Sequence, residues 1–187
     1  MGKLWIIGDS FSTGTSSESW TTIISNNRDT VRLSKNGISE YRIFKIFQDN
    51  KDKFSAGDQI IICHTNPFRI FLPNGISYPS RSKSSHTECD LVIGDAINNG
   101  LYWKILTHLF VGYFFDEEYY NTQFDLMVSE IDRESKLKDC KIIHMTGFQS
   151  RGPIISIKDI FEKYPGDINH LSVEGNILVA ERISKLL

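Results

Sequence analysis

Two short segments, far apart in the chain, bring together a hydroxyl, a carboxylate and an imidazole. The apolar run Leu4-Trp5-Ile6-Ile7 ends in Gly8-Asp9-Ser10-Phe11-Ser12, and Asp167-Ile168-Asn169-His170-Leu171-Ser172 stands near the other end. The first segment puts a serine where a strand-like run stops. The second puts a carboxylate three residues before a histidine, close enough to fold back onto Nδ1 and leave Nε2 free to take a proton. A nucleophile, a base and its orienter in the order Ser, His, Asp of function, and Ser, Asp, His of sequence, are the parts that acyl transfer needs.

Each part also has a plainer use. Asp9, Ser10 or Ser12 would serve as the cap of a following helix, and Asp167 and His170 as polar loop residues before a helix capped by Ser172. Two further segments fall where a reacting site would need them. Asn36-Gly37-Ile38-Ser39 offers a glycine whose backbone N–H can approach a ligand closely, or simply a helix-start glycine. His64-Thr65-Asn66-Pro67 offers a side-chain amide able to donate to an oxyanion, or an Asx turn before proline.

These residues need elements to hold them. Leu4–Ile7, Gln59–His64 and Lys141–Met145 are short β-branched runs with little alternation, as expected of strands buried on both faces; residues 30–33 form a weaker candidate. Between them, residues 39–50, 99–110, 117–137 and 173–186 carry apolar side chains at helical spacing. Strands alternating with helices predict an α/β fold with a parallel sheet. The four candidate segments then lie at carboxyl ends of strands or in the last loop. Residues 71–90, rich in Pro, Gly and Ser, read as a long polar loop following the third strand, an insertion in an otherwise single domain spanning 1–187.

The composition fits that reading. A chain of 187 residues with 40% hydrophobic and 12% aromatic content can bury a substantial core. Lys and Arg are spread along it and the formal net charge is −2, so no basic stripe predicts nucleic acid or an anionic membrane as partner. Cys63 and Cys140 belong to apolar runs and are expected as buried thiols, while Cys89 falls in the polar loop. A strand beginning within three residues of Met1 leaves no room for a signal peptide, and no apolar stretch approaches 18 residues. A cytoplasmic protein without a membrane span is expected.

The order Gly8-Asp9-Ser10-Phe11-Ser12, Gly37, Asn66 and Asp167-Ile168-Asn169-His170 resembles the SGNH hydrolases, the GDSL esterase/lipase-like family. The resemblance is carried in blocks, with the middle third of the chain unmatched, and the third block reads His64-Thr65-Asn66-Pro67 where the family usually has Gly-x-Asn-Asp. It implies a three-layer flavodoxin-like sandwich with a small central parallel sheet flanked by helices. It also implies a serine esterase acting on short acyl esters, a carbohydrate O-deacetylase among them. Ser10 would be the nucleophile, His170 the base and Asp167 its partner, with an oxyanion hole from Ser10, Gly37 and Asn66. No cofactor and no metal are called for, and the partner is a small-molecule or glycan ester.

Other residues attract attention less strongly. His64 and His144 lie in or at strands without a second ligand at metal spacing, and read as satisfied interior histidines. Asp116-Glu117-Glu118 reads as a helix start. Tyr102, Trp103, Phe110, Tyr113, Phe114, Phe115, Tyr119 and Tyr120 read as core packing or a protomer interface, which admits a homo-oligomer. Arg69 and Arg81 flank the long loop, where they would meet an anionic substrate or, by default, stand as solvated loop residues. Rival functions are a non-catalytic glycan- or protein-binding module and an O-acyltransferase on the same scaffold. A flavodoxin-like phosphate or flavin binder, using the Ser and Thr residues after Ser10, leaves Asp167 and His170 unexplained.

Overall fold

A computed structural model of the chain describes residues 2–14, 16–66, 69–71, 90–92, 101–147, 154–166 and 170–187. The apolar runs are its strands: β1 (Leu4–Gly8), β2 (Thr30–Arg32), β3 (Gln59–His64), β4 (Arg69–Ile70), β5 (Leu91–Val92), β6 (Lys141–Thr146) and β7 (Ile155–Ser156). Five form one parallel sheet in the order β2-β1-β3-β6-β7, while β4 and β5 make a separate antiparallel pair. Counting only the strands of the large sheet, the order is 2-1-3-4-5, the doubly wound flavodoxin-like arrangement.

Alternate residues of β1 and β3 feed two apolar layers. Leu4, Ile6, Ile61 and Cys63 face α1 (Trp20–Ser25), α5 (Lys158–Lys163) and α6 (Val173–Ser184) through Trp20, Ile160, Val179 and Ile183. Trp5, Ile7, Ile60 and Ile62 face α2 (Glu40–Asn50) and α4 (Glu117–Leu137) through Ile43, Phe47 and Ile131. Both faces of the sheet are thus covered, which is why its strands read as unbroken apolar runs. The remaining helix, α3 (Leu101–Tyr113), precedes α4.

The helix starts follow their caps. The Ser39 hydroxyl accepts from Arg42 N, Ser172 from Gly175 N, and the Asp116 carboxylate from Glu118 N and Tyr119 N, as the sequence suggested for Ser172 and Asp116. Other expectations need correction. Cys140 is only half-buried, because it ends the turn leading into β6 rather than lying inside the strand; Cys63 is fully buried. Tyr102, Tyr113, Phe114 and Tyr119 are 68%, 79%, 74% and 56% exposed, so they do not pack the core. The elements α1, α5 and β7, unforeseen in the sequence, are six residues long or fewer. Cys89, Arg81 and nearly all of the expected 71–90 loop lie outside the described residues.

Candidate active site

The site is best built from Gly8. A Cβ there would stand 2.6 Å from the Cys63 Cβ, the Cys63 carbonyl oxygen and the Ser12 Oγ, so only glycine lets β1, β3 and the following turn meet this closely. That turn is a single 3-10 turn, Ser10–Ser12, at the carboxyl end of β1, where open parallel sheets bind ligands. Asp9 is fully buried and organises it. Its Oδ1 accepts from Phe11 N (3.0 Å), so the capping role foreseen for this segment belongs to Asp9. Its Oδ2 accepts from the Thr65 hydroxyl (2.9 Å) and faces the Arg69 guanidinium at 3.1 Å. Burial pushes the Asp9 carboxyl above the usual range against the pull of Arg69 and these hydrogen bonds. Arg69 is therefore a buried ion-pair partner rather than a solvated loop cation, with only 14% of its side chain exposed.

Further contacts pin the turn from outside. The Ser12 hydroxyl donates to the Asp9 carbonyl (2.9 Å) and pairs with the Ser34 hydroxyl (2.8 Å). The Trp20 indole donates to the Phe11 carbonyl (2.7 Å), and the Asn176 side chain of α6 accepts from Trp20 N (2.9 Å). Ser10 itself, at the head of the turn, is partly exposed.

His170 reaches the same place from the other end of the chain. Its loop is closed by Gly166 N donating to the His170 carbonyl (2.6 Å) and Ser172 N donating to the Tyr164 carbonyl (3.0 Å). The exposed imidazole lies with its ring centre 5.9 Å from that of Phe11, the residue after Ser10. Asp167 lies outside the described residues.

The two candidate donors sit at neighbouring strand exits. Gly37 has φ +68°, the left-handed region that favours glycine, and its carbonyl accepts from Asp90 N (2.9 Å). The buried Asp90 carboxylate then accepts from Ser39 N (2.6 Å) and grips Arg42 through Nε (3.1 Å) and Nη2 (2.9 Å). Asn66 follows Thr65 at the exit of β3, and its carbonyl accepts from Arg69 N (3.1 Å) in a turn. Arg69 also donates to the Ile38 carbonyl (3.2 Å), so one guanidinium ties the exits of β1 and β2 to β4.

Asp90 and Arg69 were not singled out as site residues by the sequence. A carboxylate and a guanidinium of these types occur on any surface, and only the fold brings them to Ser39 and Asp9. Beside them opens a cavity of about 260 Å³, lined by Glu40, Tyr41, Arg69, Phe71, Tyr120 and Phe124 among others. It borders the strand exits that carry Gly37 and Asn66 but is not lined by Ser10 or His170.

His64 and His144, expected as satisfied interior histidines, are buried and hydrogen-bonded, and they meet each other. His64 Nδ1 lies 2.6 Å from Glu40 Oε1, His64 Nε2 lies 2.7 Å from His144 Nδ1, and His144 Nε2 lies 3.0 Å from Asp132 Oδ1. Burial, with the neighbouring His64, holds the His144 imidazole below its ordinary value, against the pull of Asp132.

No family model matches the chain, and no curated protein matches it. Among solved structures it is similar to a member of the lipolytic protein G-D-S-L family from Veillonella parvula DSM 2008, with a TM-score of 0.45 and 11% identity over 100% of this chain and 98% of that one. A likeness that loose says nothing about chemistry; the class of fold, a flavodoxin-like α/β sandwich, rests on the strand order itself.

Proposed function

We propose that the chain is a serine esterase of the SGNH type, hydrolysing short acyl esters, carbohydrate O-acetyl groups among them. The observation that supports this reading is the approach of the His170 ring to Phe11, the residue that follows Ser10. A serine heads a turn braced on every side at the carboxyl end of β1, and a histidine from a loop 160 residues later in sequence packs against the next side chain.

His170 Nε2 takes the proton of Ser10 Oγ as that oxygen attacks the ester carbonyl carbon. The developing oxyanion receives hydrogen bonds from Ser10 N, Gly37 N and the Asn66 side-chain amide. Collapse breaks the bond to the alcohol, which leaves with the proton from His170. Water, deprotonated by His170, then attacks the acyl-enzyme and regenerates Ser10. Asp167 is the partner that holds His170 Nδ1–H. No cofactor takes part.

The test is hydrolysis of p-nitrophenyl acetate by the purified protein beside Ser10→Ala, with labelling by a fluorophosphonate. Wild type is expected to turn over and to label at Ser10, and Ser10→Ala to do neither. Asn66→Ala is expected to lose on the order of 10²–10³ in kcat. Wild type inert to acetate and butyrate esters, and unlabelled, overturns the reading.

We also infer that two copies associate through the apolar surface of α3, the protomer-interface reading of the aromatic cluster.

A further inference from the structure

The mechanism at Ser10 leaves three buried groups and one surface carboxylate unused, and they form one line. Glu40 on α2, His64 on β3, His144 on β6 and Asp132 on α4 are joined by the three contacts of 2.6, 2.7 and 3.0 Å. The imidazoles stack at 5.0 Å with 13° between their planes, and the Phe124 ring stands edge-on to His64 at 5.1 Å. Glu40, His64 and His144 are 6%, 2% and 6% exposed, whereas the Asp132 side chain is 46% exposed. The line therefore runs from the interior to water.

Its protons can be counted. Three contacts between acceptor-capable atoms need three protons, and two neutral imidazoles bring only two. The third is either a second N–H on one ring or a carboxyl O–H, and in both cases the four groups together carry a charge of −1. His144 as a neutral ring donates Nε2–H to Asp132 and accepts at Nδ1 from His64 Nε2–H. The remaining proton then lies in the short contact between His64 and Glu40.

The inner end of the line touches the candidate active site. Glu40 Oε2 accepts from Thr65 N (3.1 Å). The Thr65 hydroxyl donates to Asp9, and Asp9 accepts from Phe11 N. Thr65 precedes Asn66, and Asp9 precedes Ser10. An unbroken path of hydrogen bonds thus connects a surface carboxylate to both the nucleophile turn and the turn of the oxyanion amide. Arg69, Tyr120 and Tyr119 border the same cavity as Glu40, and Asp9 and Cys63 are the other titratable groups of the β1 and β3 exits.

We propose that Glu40 and His64 are positioning residues for the Ser10 centre: the proton held between them keeps Glu40 on Thr65 N, which fixes the Asn66 turn and the Asp9 carboxylate, and His144 and Asp132 are the route by which that proton exchanges with solvent. The proposal rests on the esterase reading. Without His64, Glu40 Oε1 is a buried carboxylate oxygen that has lost its partner. Without His144, His64 Nε2 is buried with no acceptor.

The experiment compares wild type, Glu40→Ala, Glu40→Gln and His144→Gln in p-nitrophenyl acetate hydrolysis, with kcat divided by the concentration of sites titrated by the fluorophosphonate. Glu40→Ala is expected to lose on the order of 10² in kcat per titrated site with KM within about twofold of wild type, the scale of a small misplacement of reacting groups. Glu40→Gln, whose amide oxygen still accepts from Thr65 N, is expected to recover most of that loss. Wild type is expected to show imidazole ¹⁵N–¹⁵N coupling between rings 64 and 144, and its absence overturns the relay; His144→Gln is expected to shift the pH profile of kcat. A titrating enzyme in which Glu40→Ala keeps its kcat per site overturns the positioning role alone, as does a loss that Glu40→Gln does not recover. A wild type that never titrates overturns the esterase reading itself, whatever the imidazole spectrum shows.

Discussion

Asp9 is fully buried, and its position is held by Arg69, Thr65 and the Phe11 amide. Asp9→Asn leaves the Arg69 guanidinium buried without a counter-charge, and removal of one partner from such a pair costs roughly 3–5 kcal/mol. A lowered urea midpoint with an unchanged m-value is the expected outcome. His144 gives a pH dependence with a definite sign. Its folded-state pKa lies below the ordinary value of about 6.5, so the unfolded chain takes up a proton in a range where the folded protein does not. The stability associated with the neutral ring is present above about pH 6.5 and falls as the pH drops through the depressed value. Urea midpoints at pH 7.5 and pH 5 are expected to differ less in His144→Gln than in wild type. The places of Ser10 after β1 and of His170 before α6 were legible because each follows or precedes an element with its own local signature. The pairings of Asp9 with Arg69 and of His64 with His144 were not, because they depend on register. Ile62 lies opposite His144 in the β3–β6 ladder, which puts His64 diagonally beside it on the same face, and nothing within either strand announces that offset.

The long strands and helices were readable for a physical reason that the short ones lack. In β3, Ile60, Ile61, Ile62 and Cys63 are all fully buried, and such a run has no other place to go than the centre of a covered sheet. Ile61 stands between Ile6 of β1 and Ile143 of β6. Ile61→Ala is expected to lose about 2–5 kcal/mol of stability, read from chemical denaturation, because the close neighbours on both sides cannot collapse onto the space it leaves. α1 shows the opposite case. Trp20-Thr21-Thr22-Ile23-Ile24-Ser25 is rich in β-branched and aromatic residues and argues locally against a helix. Tertiary contacts decide otherwise: Ser19 caps it, Trp20 is buried, and Asn176 of α6 takes the first free N–H. β7, with two residues, is defined by its pairing to β6 and has no pattern of its own. The turn at Gly37 was legible as a glycine site, and the structure supplies the reason. At φ +68°, Gly37→Ala is expected to cost about 1 kcal/mol, measured as a drop in urea midpoint.

At the scale of the whole molecule the surface left without a partner is apolar rather than charged. No helix among the described residues is long and apolar enough to cross a membrane. Yet α3 and the residues after it expose Leu101, Tyr102, Ile105, Leu109, Tyr113 and Phe114 by about half or more. A helix apolar on nearly all sides is normally buried, and these side chains together present on the order of several hundred Å² of apolar surface. Patches of that size mark interaction sites, and one partner's share of a standard protein interface is roughly 800 Å². Lys104 and His108 are the only basic residues of α3, so it lacks the cationic face by which interfacial helices hold anionic lipid. A second copy of the same surface is the occupant that matches an apolar, nearly uncharged helix, because it brings no charge to be desolvated. Sedimentation equilibrium is therefore expected to give about twice the chain mass of 21.4 kDa at micromolar concentration. The double substitution Leu101→Lys, Tyr113→Lys is expected to return it to a monomer, since it sets like charges against each other across the interface while leaving the Ser10 turn untouched. A wild type that sediments as a monomer up to the highest soluble concentration rules this association out, and the exposed face of α3 then has some other partner.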